Sequence, residues 1–250
     1  RRIPGSTDEV IVTGNLRSAD SEDVYRLNLN TGKTKLISED RPEHAGNWIL
    51  DANLVPRVVT SWVRNTQTYV VHYRKSADAP WQELVRTDRT KSPAFVPLGI
   101  LKSDNKTLLV ATNQGRDTMA VFKYDPETKT LGELLAQHPH YDMGADAAGD
   151  HVGGVITEPE TDRLLGYSVD ADKPQRVWID EKEAQTQATV DSALPDTVNS
   201  FRRFPNQTRL LISAFSDIKS QRWYILDEGK RTMEELFAAK PWMDGNYVQQ

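Results

Sequence analysis

Apolar and polar positions alternate along this chain in short runs, and the runs come in pairs joined by turn residues. The clearest pair is Ala120 to Leu135, AVFKYDPETKTLGELL, in which a run through Phe122 and Tyr124 meets a turn carrying Asp125 and Thr128 and then a second run. Asp23 to Ile37 (DVYRLNLNTGKTKLI) and Arg222 to Phe237 (RWYILDEGKRTMEELF) repeat it. A two-residue alternation with an Asp/Asn/Gly reversal predicts a half-buried β-hairpin in each. Looser copies occupy 68–85 and 176–180, and in the latter a helical insert takes the place of the second strand.

Tyr25, Val71, Phe122, Val177 and Tyr224 are equivalent in this alignment and lie 46, 51, 55 and 47 residues apart. Two further strands precede a hairpin where the pattern is fullest: Phe95 to Ile100 and Leu108 to Thr112, then Ser200 to Phe204 and Leu210 to Ser213. A repeat near fifty residues with four strands fits a β-propeller blade. The expected fold is all-β, a single propeller domain over 1–250 with about five four-stranded blades, forming part of a larger propeller. Phe122, Tyr124, Leu210 and Ile212 are expected inside, and Lys123, Lys129 and Lys230 outside. One helix is expected, Glu181 to Ala193, with Asp180 as its N-cap and Leu194-Pro195 at its end.

Composition narrows the function classes. A net charge of -5 without a Lys/Arg cluster argues against a nucleic-acid partner. No apolar run reaches the roughly 18 residues that span a bilayer, so no membrane role is expected of this segment. The absence of cysteine excludes disulfides and thiolate chemistry. The chain opens at Arg1-Arg2-Ile3-Pro4 without an initiator Met or a signal-peptide pattern and reads as a fragment.

The ordered series DVYRLNLNTGKTKLI, NWILDANLVPRV, YVVHYRKSADAPWQELVRTD, GRDTMAVFKYDPETKTLGELLAQHPHYDMG and RLLGYSVDADKPQRVWID, with the helix and DSALPDTVNS after it, covers almost the whole chain. It resembles the N-terminal propeller of bacterial serine peptidases of the prolyl oligopeptidase family, in the branch of dipeptidyl and acylaminoacyl peptidases. The resemblance implies a noncatalytic lid that limits peptide access to an α/β-hydrolase domain beyond Pro241-Trp242-Met243-Asp244. It implies peptide substrate and that hydrolase domain as partners, no cofactor, and a bacterial protein of periplasmic or cytoplasmic location. The other class of function is a free-standing propeller that binds a protein or ligand on one face.

Catalytic residues are not expected here. A serine nucleophile of this kind sits on a G-x-S-x-G elbow, and the nearest string, Gly166-Tyr167-Ser168-Val169-Asp170, lacks the last glycine. Arg116 and Asp117, in Gly115-Arg116-Asp117-Thr118 between two strands, are the candidates for peptide contact, since loops carry function; fixing a turn is the competing role. His138, His140 and Asp142, with Asp146, Asp150 and His151 behind them, supply metal-ligand types without helical spacing to converge them. The expectation is no metal site.

Five of the six Trp (Trp48, Trp62, Trp81, Trp178, Trp223) fall on strands and are expected to pack between blades. The sequons at Asn105 and Asn206 coincide with turns and carry no functional weight. Missing N-terminal blades would leave an open strand near Val10 to Thr13, and self-association through a terminal blade follows from that.

Overall fold

The computed structural model describes residues 1–88, 93–145, 154–158, 161, 163–204 and 207–243. Five antiparallel sheets follow one another along the chain and are the blades of a β-propeller. The first contains β1 (Glu9–Gly14), β2 (Asp23–Asn28) and β3 (Thr34–Leu36); the second β4 (Ala45–Leu50), β5 (Pro56–Val63), β6 (Thr68–Tyr73) and β7 (Gln82–Asp88). The third contains β8 (Phe95–Ile100), β9 (Leu108–Thr112), β10 (Ala120–Asp125) and β11 (Thr130–Ala136). The fourth has β12 (Val155–Thr157), β13 (Leu164–Asp170) and β14 (Pro174–Trp178); the fifth, β15 (Val198–Arg203), β16 (Arg209–Phe215), β17 (Arg222–Asp227) and β18 (Thr232–Ala238). Two compact units divide the chain, Arg1–Gly154 with the first three sheets and Val155–Gln250 with the last two.

Among the described residues, two sheets have three strands. Beside β1 lie Arg1 to Ile3: the Arg1 amino group donates to the Ile11 carbonyl at 2.7 Å, and Ile11 N–H donates to the Arg1 carbonyl at 2.8 Å. The edge expected to lie open near Val10 to Thr13 is therefore closed as far as Ile11. In the fourth blade, the chain leaves β14 into helix α1 (Glu181–Ala193) instead of turning back as a strand. The Asp180 side chain accepts from Glu183 N–H at 3.0 Å, capping the helix start. Asp180→Ala should cost about 1 kcal/mol, measurable as a lower urea midpoint with an unchanged denaturant slope; an unaltered midpoint would show that the cap is idle.

Packing explains why the strands read as apolar on both faces. In the first unit, Val58, Val71, Tyr73 and Leu84 of the second blade meet Phe95, Ile100, Leu108, Val110 and Tyr124 of the third. Phe95 and Tyr124 meet edge to face with ring centroids 5.0 Å apart. In the second unit, Val190 of α1 is buried with Phe201, Leu210, Ile212 and Leu226 of the fifth blade. Tyr124, Leu210 and Ile212 thus lie inside as expected, and Lys129 and Lys230 outside. Phe122 is only half-buried at the margin of its cluster, and Lys123 is half-covered while it reaches Glu133 at 2.7 Å. Lys123 is partly covered because β10 is an interior strand of its blade, with β9 and β11 on either side. Gly166 is a packing requirement: a Cβ there would stand 2.5 Å from the Val177 carbonyl oxygen of β14.

Candidate functional site

The loop between β9 and β10 is built from its own backbone. Gly115 takes φ of +71°, a conformation glycine adopts without a Cβ clash, and Arg116 N–H donates to the Asn113 carbonyl at 3.1 Å. Asn113 anchors the loop by accepting from Ala94 N–H at 2.8 Å. The segment that follows β11 runs alongside. Arg116 Nη2 donates to Gln137 Oε1 at 2.8 Å, Thr118 Oγ1 to the His138 carbonyl at 2.9 Å, and Met119 N–H to Asp142 Oδ1 at 2.7 Å. The two segments thus form one ordered surface.

The candidates are placed differently on that surface. Arg116 is half-buried, and its Nε is shielded from solvent without a hydrogen-bond acceptor. Asp117 is exposed beside it. His138 Nδ1 accepts from both His140 N–H and Tyr141 N–H at 3.1 Å, so this nitrogen is the lone-pair acceptor of a turn. The His138 ring lies 4.9 Å from that of Tyr141. Asp142 is engaged by the Met119 amide, and Asp146, Asp150 and His151 lie outside the described residues. Among the described residues no three His, Cys, Asp or Glu side chains gather as metal ligands. Ser168 is a strand residue of β13 opposite Arg176, with no elbow around it.

The corresponding loops of the first two blades, 15–22 and 64–67, together with the connection from β3 to β4, enclose a cleft of about 440 Å³. Asp20, Glu22, His44, Trp62, Arg64 and Asn65 line it. Nothing in the sequence singled this cleft out. Its one signal is the placement of Trp62 near the end of β5, and Trp62 contributes to the wall of a cleft instead of serving only as interblade packing. Trp178 of the fourth blade meets that expectation by stacking on Phe201 of the fifth at 5.2 Å, whereas Trp81 precedes β7 and its contacts stay within the second blade, with Trp48 5.8 Å away edge to face and Arg74 4.5 Å above its ring.

The sequon at Asn105 has its amide in use, since Oδ1 accepts from Ala52 N–H at 2.8 Å and Nδ2 donates to Asp51 at 3.2 Å. Asn206 lies outside the described residues. No helix among the described residues is long and apolar enough to cross a membrane.

Five antiparallel blades in sequence define the chain as a β-propeller. No family profile matches it. Dipeptidyl aminopeptidase BIII of Pseudoxanthomonas mexicana is 23% identical over 248 residues, which cover 97% of this chain and 33% of that protein. This chain therefore spans about a third of the length of that relative. Among solved structures, it is similar to puromycin hydrolase (TM-score 0.49, 12% identity, 88% of this chain and 34% of that one). It is also similar to the β-propeller domain of the Trilobed protease from Pyrococcus furiosus (TM-score 0.42, 8% identity, 92% and 81%).

Proposed function

We propose that the chain is the noncatalytic propeller of a prolyl oligopeptidase-like serine peptidase and restricts which peptides reach an α/β-hydrolase domain of the same parent. The observation that carries this reading is the relative: a dipeptidyl aminopeptidase matches almost all of this chain with only a third of its own length. In this reading residues 1–250 act as one propeller domain. Arg116 and Asp117 touch passing peptide, through the half-buried guanidinium and the exposed carboxylate beside it. Self-association through a terminal blade belongs to the same proposal.

The cleft beside Trp62 favours a second reading, a free-standing propeller that binds a ligand on its loops. One comparison separates the two: cleavage of a dipeptidyl nitroanilide and of a thirty-residue peptide by the parent enzyme, with and without residues 1–250. The lid reading expects a strong preference for the short substrate only when the propeller is present. An unchanged ratio of the two rates, or a parent without hydrolase activity, would overturn it. The isolated chain is expected to turn over neither substrate.

A further inference from the structure

Arginines that fold into this protein are, as a rule, matched with acids. Arg57 pairs with Asp51 at 3.0 Å, Arg74 with Asp40 at 3.1 Å, Arg41 with Asp23 at 2.8 Å, and Arg203 with Glu183 and Glu228 at 2.6 Å each. Among the described residues, only Arg116 and Arg176 are partly buried arginines that lack an ion pair. Arg116 at least meets the Gln137 amide oxygen through a side-chain bond. Arg176 meets no side-chain acceptor among the described residues, only the Phe201 carbonyl.

Arg176 stands on β14 opposite Ser168 and reaches the first strand of the fifth blade, where Nη1 donates to the Phe201 carbonyl at 3.1 Å. Its Cζ lies 5.8 Å from the Trp178 ring centroid and 5.9 Å from that of Phe201, and those two rings are stacked on each other. The aromatic pair fixes the guanidinium and keeps water from part of it. Burial alone holds the Arg176 pKa below the ordinary arginine value, with no acid to oppose the shift. A cation that is partly desolvated, held in place and supplied with unused N–H donors is arranged to receive an anion, because charge-assisted bonds strengthen where water is partly excluded. The fork of a guanidinium matches the two oxygens of a carboxylate.

We infer that Arg176, backed by Trp178 and Phe201, is a carboxylate-binding subsite for peptide ligands. The inference rests on the proposed peptide-handling role and adds a substrate feature to it: a carboxylate, supplied either by the C-terminus of the peptide or by an acidic side chain. One N–H holds the Phe201 carbonyl and keeps the fork aimed, while the others meet the carboxylate oxygens. The partly exposed position of Arg176 gives the ligand access.

Calorimetric titration of the 250-residue chain with Ala-Ala-Ala, with its C-terminal amide, and with the amides of Ala-Glu-Ala and Ala-Gln-Ala tests this. At least one acid is expected to bind about tenfold or more tightly than its neutral counterpart. The first pair reports a C-terminal source and the second a side-chain source. The acid should also shift the Arg176 Nε–H signal in the NMR spectrum of the unaltered chain, and Arg176→Gln should erase the preference. Equal binding of acids and amides, no binding of any of the four, or a preference that survives Arg176→Gln would overturn the inference. If Arg176→Gln fails to fold, the acid–amide comparison and the Nε–H shift in the unaltered chain decide the matter. These readouts need no hydrolase domain, so their failure is distinguishable from failure of the lid reading, which is judged by substrate length in the parent.

Discussion

Replacing Asp51 with Ala is expected to destabilise the first unit by about 3–5 kcal/mol, the range for removing one partner of a buried ion pair. Asp51 is 3% exposed and serves four donors. Its Oδ1 accepts from Asn53 N–H at 2.8 Å and Val55 N–H at 3.0 Å, which shapes the turn between β4 and β5. Its Oδ2 accepts from Arg57 Nη1 at 3.0 Å and Asn105 Nδ2 at 3.2 Å. Asn105 belongs to the equivalent turn of the third blade, so the carboxylate also ties two blades together. Arg57, itself 6% exposed, would keep its bonds to the Arg74 carbonyl and the Tyr73 hydroxyl but would lose its counter-charge. Asp51→Asn separates the contributions, since it retains the turn acceptor and removes the charge. Urea unfolding measures both, and a loss below about 1 kcal/mol for Asp51→Ala would place this group among exposed pairs of little worth, as expected for Arg86 with Glu83.

An effect of similar size is expected at Asp23, with a pH signature of its own. The Asp23 side chain is fully buried. Arg17 approaches at 2.5 Å and Arg41 at 2.8 Å, while Ser38 Oγ donates at 2.9 Å and in turn accepts from Val24 N–H. Burial pushes the carboxyl pKa up, but the bonds from Arg17 and Ser38 and the charges of Arg41 and Arg17 outweigh it and leave the value below the usual carboxylate range. A folded-state pKa below the unfolded one means that the unfolded chain binds the extra proton. The stabilisation is therefore complete above the unfolded value, about 3.9, and disappears as pH falls through the lower folded value. Asp23→Asn should lower the melting temperature at pH 7, and the gap from the unaltered protein should narrow as pH drops below about 4. A gap that does not depend on pH would show that shape and hydrogen bonding, not charge, account for the loss.

The elements that were legible in the sequence are those whose signal is local. β8 and β9 were expected at Phe95 to Ile100 and Leu108 to Thr112, and helix α1 at Glu181 to Ala193, and they are found at those limits. A short apolar run bounded by turn residues, or a cap with a proline after the helix, marks each without reference to the rest of the chain. What was not legible depends on distant partners. Asp51 and Asn105 are 54 residues apart, Arg17 and Arg41 reach Asp23 from opposite sides in sequence, and Arg203 reaches back 20 residues to Glu183. No periodicity encodes such meetings. The candidate site shows the same division: the turn at Gly115 was readable from residue types, whereas the pairing of Arg116 with Gln137 and the cleft beside Trp62 arise only when separate loops come together. The burial of Phe122 was overestimated for a related reason, since alternation gives the face of a strand but not how far the neighbouring blade extends over it.

Every sheet pairs strands that are neighbours in sequence, and this has a consequence for how the protein is made. A ribosome adds about 5–20 residues per second, so all the strands of a blade such as 95–136 leave the exit tunnel within seconds of one another. Their loop-closure entropy is small because the hairpins are short. Each sheet has what it needs to zip up behind the ribosome before the next is synthesised, and nascent chains have little time with bare strand edges available to one another. Vectorial synthesis from the N-terminus should thus give higher yields of native protein than dilution of the whole chain from urea, where all five blades compete for partners at once.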